Sequence, residues 1–178
     1  GNSFILKPAE QSPMTAIRIA ELAAEAGIPD GVFNVLPGFG ETAGQALGRH
    51  MDVDCITFTG STEVGRSIAE MAGRRLISCS MELGGKNAAI VLPDADIART
   101  VRELASDSFA NAGQTCVAME RIYVHESIRE ELTRRLAEHS GAMPVTAGFD
   151  FSSGVSSMID QAHLDRVHTH VEDAVANG

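Results

Sequence analysis

Hydrophobic and polar positions along this chain follow two alternating rhythms. Short runs rich in β-branched and aromatic residues recur at residues 3–7 (SFILK), 32–36 (VFNVL), 55–59 (CITFT), 76–80 (LISCS), 87–92 (NAAIVL) and 121–125 (RIYVH), and each predicts a strand. Between them lie stretches with helical spacing. Ser12 and Pro13 open a helix to about Ala26, which Gly27 and Pro29 end. Residues 41–49 predict a short helix, and Ser61 opens another to about Ala72. Asp94 is the expected cap of a longer helix over 95–111. Ser127-Ile128-Arg129-Glu130 has the form of a capping box, opening a helix to about His139. Residues 141–158 are turn-like, and a last helix carries Leu164, Val167, Val171 and Val175 on one face. Strands alternating with helices predict an α/β fold with a largely parallel, Rossmann-like sheet.

Length and charge narrow the function classes. The 178 residues suffice for one domain or parts of two. The formal net charge is −10 without a dense Lys/Arg run, which argues against nucleic acid and anionic membranes as partners. No apolar run approaches the ~20 residues that span a bilayer. The three cysteines, Cys55, Cys79 and Cys116, are odd in number and lack C-x-x-C spacing. That argues against a disulfide framework or a zinc site and favours a reducing, cytoplasmic setting. The six histidines show no metal-ligand spacing, so no metal is implied. The chain opens on Gly1 in an already strand-like run, and we expect a piece of a longer protein or a processed chain.

Two glycine-rich turns compete as phosphate cradles. GFGETA (38–43) follows a strand and precedes a helix, as a dinucleotide turn does, but the next strand ends in TFTG rather than in the acid that such a fold uses. GSTEVGRS (60–67) approaches a nucleoside-triphosphate loop, with Arg66 where the phosphate-binding lysine belongs. What it retains is strand, glycine, serine cap, helix: free N–H groups at the positive end of a helix dipole, suited to a pyrophosphate or equally to an ordinary βα turn. In MELGGKN (81–87), Glu82 stands between a strand and two glycines, as a solvated loop residue or as a general base. In NAGQTC (111–116), Cys116 occupies a small polar turn, a poor place for a buried hydrophobe and a good one for a nucleophile. Cys55 and Cys79, inside strands, read as buried.

ILKPAEQSP, FTGSTEVG, MELGGKN and NAGQTC occur in this order, and together they resemble the aldehyde dehydrogenase superfamily. SCSMELGGKN and MERIYVHESI are similar to its succinate-semialdehyde branch. The resemblance implies that Cys116 attacks an aldehyde and that Glu82 activates the water that resolves the thioester. It implies a cofactor site of Lys7, Pro8, Ala9 and Glu10 at the adenosine ribose and Gly40 at the adenine edge. Phe58, Thr59, Gly60, Ser61 and Val64 would hold the pyrophosphate and adenine, and Leu83 and Gly84 the nicotinamide. Glu10 would repel a 2′-phosphate, which favours NAD, with NADP the alternative.

Members of the superfamily are much longer. Residues 1–82 are therefore expected to be the later part of the NAD(P)-binding domain and 83–178 the start of the catalytic domain of an enzyme acting on a small-molecule aldehyde, the full-length protein being a homo-oligomer. The family's oxyanion-binding Asn and the acid that grips the nicotinamide ribose lie outside this chain, so the segment alone is expected to be inactive. A CoA-acylating dehydrogenase is the alternative within the superfamily, and Glu82 argues against it because CoA needs no water-activating base. Outside it, the alternative is a truncated, non-catalytic piece or an interaction module, whose cut sheet edges would favour association.

Overall fold

In a computed structural model that describes residues 1–147 and 154–177, the chain divides into two compact units, Gly1–Leu83 and Gly84–Gly178. In the first, β1 (Phe4–Leu6) and β2 (Phe33–Val35) pair in parallel, Phe4 opposite Phe33 with their rings stacked at 5.9 Å. The connection between them carries α1 (Met14–Glu25), with Pro13 at its N-cap, where the missing N–H costs nothing. It ends where Gly27 takes φ +84° and the N–H of Ile28 bonds back to Ala23. After β2 the chain forms a wide π-type turn over Gly40–Gly44 and only then α2 (Gln45–Arg49), so the short helix expected over 41–49 forms in two parts.

β3 (Cys55–Gly60) and β4 (Ser78–Leu83) form a second parallel ladder, with α3 (Thr62–Arg75) between them in the chain and packed against both. Ser61 caps α3 as expected, its Oγ accepting from the N–H of Val64 at 3.2 Å. The helix runs a turn past Ala72, to a left-handed Leu76. Arg75, the last residue of α3, donates to the carbonyls of Gly48, Met51 and Val53, tying α3 to α2 and the segment after it.

In the second unit β5 (Asn87–Val91) and β6 (Met119–Val124) are parallel, joined through α4 (Ile97–Phe109), with α5 (Arg129–Gly141) packed on α4. The core is Val91, Val101, Leu104 and Leu132, bordered by Ile122, Val124 and Leu136. Two expected caps are corrected. Asp96, not Asp94, caps α4, its carboxylate accepting from the N–H of Arg99 at 3.0 Å, because a turn from Leu92 to Ala95 carries the chain past Asp94 before the helix starts. The capping box at Ser127 does not form. Ser127 lies in a 3-10 turn capped by His125, whose Nδ1 is bonded to both the N–H and the Oγ of Ser127, and α5 begins at Arg129 without a side-chain cap.

Val145 and Val155 bridge across the region expected to be irregular, part of which, residues 148–153, lies outside the described residues. α6 (Gln161–Asn177) follows, with Leu164, Val167, Val171 and Val175 exposed. Among the described residues the first unit holds two two-stranded parallel ladders and the second holds one. Among the described residues no helix is long and apolar enough to cross a membrane.

Candidate active site

Parallel pairing brings strand ends together, and in the first unit it brings the candidate residues with them. β1 and β2 stop side by side, so Lys7 and Pro8 leave one strand where Pro37 and Gly38 leave the other; the N–H of Leu36 still bonds the carbonyl of Leu6. Lys7 Nζ donates to the carbonyls of Pro8 at 2.7 Å and Gly38 at 2.8 Å, and to the Glu10 carboxylate at 3.4 Å. All three ammonium protons thus have partners. The lysine stem runs past Gly44, where an added Cβ would lie 3.6 Å from Lys7 Cδ. The KPAE stretch and the first glycine turn, separate in the sequence, form one corner that includes Lys7, Pro8, Glu10, Gly38 and the start of the wide turn at Gly40. Pro8 is buried and Ala9 and Glu10 are exposed. The Glu10 carboxyl is held below the ordinary glutamate range, first by its own backbone N–H and then, against some desolvation, by Lys7. It is an ionised acceptor at neutral pH.

The second glycine turn lies at the end of β3. Gly60 opposes Leu83 and Thr59 opposes Glu82, so the helix start at Ser61 and the candidate acid share the carboxyl end of one ladder. That is where open α/β sheets bind ligands. Glu82 belongs to β4 itself, one residue before its end, and is exposed. The Phe58 ring covers Gly60 so closely that a Cβ there would sit 2.5 Å from Phe58 Cζ. Leu83 folds over buried Gly65 of α3 in the same way, at 2.5 Å from an added Cβ to Leu83 Cδ2. Val64, 48% exposed, stands on the open side of the first helical turn. Gly84 begins the second unit and is exposed, and an added Cβ there would meet nothing within 4 Å.

In the second unit the chain leaves α4 through three consecutive left-handed residues, Asn111 (φ +51°), Ala112 (φ +56°) and Gly113 (φ +75°). Gly113 adopts this region freely and Asn111 more readily than most side chains, so the cost of about 1–2 kcal/mol falls chiefly on Ala112. Gln114 holds the excursion. Its Nε2 donates to the carbonyl of Asn111 at 2.9 Å and of Ser157 at 3.4 Å, and its Oε1 accepts from the N–H of Ile159 at 2.8 Å. A tight turn follows, closed by the N–H of Ala118 on the carbonyl of Thr115 at 3.2 Å, with Cys116 at its second position and exposed.

Asn87, the last letter of MELGGKN, donates from Nδ2 to the carbonyls of Cys116 at 2.7 Å and Ala118 at 2.9 Å. Neither Asn87 nor Gln114 stands out as a site residue in the sequence, where the available signal is an amide within a glycine-containing motif. Cys55 and Cys79 are exposed rather than buried, because a two-stranded ladder with helix α3 packed on it leaves strand positions open. Among the described residues no group of three or more His, Cys, Asp or Glu could hold a metal.

The strand–helix–strand units with open carboxyl ends define an α/β architecture of the Rossmann-like class. The chain belongs to the aldehyde dehydrogenase family, whose model matches residues 1–178. It is 46% identical over 179 residues to a mitochondrial aldehyde dehydrogenase of Leishmania tarentolae, covering 100% of this chain and 36% of that protein. Among solved structures it is similar to an NAD-dependent aldehyde dehydrogenase from Sinorhizobium meliloti, with TM-score 0.96, 41% identity, 99% of this chain and 35% of that one covered. It is also similar to an NADP-dependent enzyme of E. coli, with TM-score 0.95, 36% identity, 99% of this chain and 37% of that one covered. The chain thus spans about 36% of the length of the relative it matches.

Proposed function

We infer that this chain supplies the nucleophile, the general base and the adenosine-side contacts of an NAD-dependent aldehyde dehydrogenase of its relatives' length. Residues 1–82 act as the later part of the cofactor domain and 83–178 as the start of the catalytic domain. The Cys116 thiolate attacks the aldehyde carbon and forms a thiohemiacetal; sulfur suits this because it attacks well and later leaves well. NAD, when bound, accepts the hydride whose loss turns that adduct into a thioester. Glu82 then removes a proton from the water that hydrolyses the thioester, releasing a carboxylic acid and restoring the thiol.

The observation that carries this reading is the pairing of Thr59 and Gly60 with Glu82 and Leu83, which gathers the phosphate turn and the acid at one strand end. The residues fit the cofactor. An ionised Glu10 accepts from ribose hydroxyls, the α3 start with Ser61 and Val64 offers N–H groups to a pyrophosphate, and the glycine corner at Gly38–Gly40 leaves an edge for adenine. Lys7, with its protons already committed to Pro8, Gly38 and Glu10, has none free for a 2′-phosphate, which supports NAD over NADP. A reducing compartment such as the cytoplasm suits a free nucleophilic thiol, and the full-length protein is read as a homo-oligomer.

The test uses the chain carried through its flanking sequence to the relatives' length, with NAD, NADP and a panel of aldehydes that includes succinate semialdehyde. Cys116→Ala should abolish the pre-steady-state burst of NADH. Glu82→Gln should keep the burst and slow steady turnover by roughly 10²–10⁴. A Cys116→Ala protein that still shows a burst would sink the assignment; equal loss of burst and turnover in Glu82→Gln would make Glu82 the activator of the thiol instead.

A further inference from the structure

We propose that Asn87 is a positioning residue for the nucleophile, holding the backbone of the Cys116 turn in its attacking orientation; this rests on the reading of Cys116 as the nucleophile. The Asn87 carboxamide has two N–H donors, and two carbonyls of one turn receive them, that of Cys116 at 2.7 Å and that of Ala118 at 2.9 Å. The peptide that follows Cys116 cannot rotate without breaking the first bond. The exit peptide after Ala118 cannot rotate without breaking the second. The bond from the Ala118 N–H to the Thr115 carbonyl closes the turn from the other side. With the peptides on both sides of Cys116 restrained, the Cα–Cβ direction that aims Sγ is restrained as well, although the side chain itself is exposed.

Asn87 is in turn fixed by where it stands. It is the first residue of β5 and pairs with Met119, while Ala88 pairs with Arg121, so Glu120 is an extra residue on β6 at this point. Such irregularities re-aim side chains beside functional sites. Glu120 is ion-paired with Lys86, the residue before Asn87, which closes the irregularity. The turn that holds Cys116 is thereby indexed to the sheet through one amide, beside the burial of Ala118 at its far end; Cys116 and Val117 themselves are both exposed.

A residue that only aims the nucleophile has a distinct kinetic signature. Attack on a carbonyl and alignment for hydride loss depend on geometry, and a displacement near 1 Å can cost about 10²-fold. Alkylation by iodoacetamide depends on thiolate fraction and access, and tolerates such displacement. In the chain of the relatives' length, Asn87→Ala should slow the NADH burst about 10²-fold. The rate and pH profile of Cys116 alkylation, followed by peptide mapping, and the affinity for NAD should stay within about twofold of the parent. Asn87→Ser, which keeps one shorter donor, should lie between.

A parental burst in Asn87→Ala overturns the proposal. So does a slowed burst accompanied by equal losses in alkylation rate and NAD affinity, which marks general disruption. Should Asn87→Ala not fold, Asn87→Ser decides: a slower burst with unchanged alkylation supports the role, and a parental burst overturns it. Failure of the underlying reading looks different, because the parent protein would then keep its burst after Cys116→Ala.

Discussion

Replacing Gly65 with alanine tests the join between fold and site, because Gly65 is the point where α3 meets Leu83. An alanine Cβ there would lie 2.5 Å from Leu83 Cδ2, closer than real carbon contacts come, and a tight 3.1 Å from Cδ1. The Leu83 backbone is held by pairing with Gly60, so only its side chain can yield. Overpacking of this kind costs about 1–3 kcal/mol, and the mobile ends of a leucine put the value in the lower half. Alanine also gains about 1 kcal/mol over glycine in a helix interior. The two effects nearly cancel, leaving Gly65→Ala at about 0–1 kcal/mol of net destabilisation.

An internal control separates them. Gly73 lies on the same helix with nothing within 4 Å of an added Cβ, so Gly73→Ala should be stabilised by about 1 kcal/mol from propensity alone. Urea unfolding with linear extrapolation gives both values. The difference between the two variants is the steric cost, and it should amount to about 1–2 kcal/mol. Equal stabilisation of both variants would show that Leu83 does not pack on Gly65. Where the steric cost is found but NAD affinity and the NADH burst are unchanged, Leu83 has moved without consequence and its place at the nicotinamide is refuted.

Two further outcomes follow from the second unit. The Asp96 carboxyl is held below the ordinary aspartate range, chiefly by the Arg99 N–H at the start of α4, so its contribution to stability is complete above the unfolded value and is lost as pH falls through the lower folded one; Asp96→Asn should therefore lose stability less steeply on acidification, and identical acid slopes in urea midpoints would refute the cap. Leu132→Ala should cost about 2–5 kcal/mol, toward the lower end because Leu132, 2% exposed, also lines an open groove of about 500 Å³ into which neighbours can relax; a loss under about 1 kcal/mol in the same assay would remove it from the core.

Much of the fold was legible because local chemistry and tertiary structure agree there. Ser61 after a β-rich run starts α3, and Gly27 with Pro29 stops α1, since caps and breakers act through their own backbone. Asp94 and Asp96 were not separable from sequence: both are good caps two residues apart, and the turn from Leu92 decides between them. The capping box at Ser127 lost to His125, a competitor that no S-x-x-E pattern includes. The cysteines in β3 and β4 misled for a different reason. Strand composition reports a pleated surface, but burial depends on how many strands and helices cover it. For the candidate site, the motifs identified residues, but which of them meet depends on parallel register. Lys7 reaching Gly38, and Glu82 standing beside Thr59, are facts of pairing across more than 20 residues of chain.

The turn around Cys116 shows why Asn87 and Gln114 escaped notice. On the proposed reading Cys116 is a nucleophile, which must be reachable and yet held still. Core residues are held by burial, which leaves an apolar periodicity in the sequence; an exposed thiol cannot be held that way. Here immobility comes from amides. Asn87 takes two carbonyls of the turn, and Gln114 engages Asn111, Ser157 and Ile159. Each such bond contributes about 0.5–1.5 kcal/mol, comparable with the cost of the left-handed Ala112. The left-handed exit from α4 and the turn at Cys116 are thus each clamped by an amide, the first by Gln114 and the second by Asn87. Residues that work in this way are polar, half-buried and aperiodic, indistinguishable in sequence from a solvated loop, and only the positions of their acceptors reveal them.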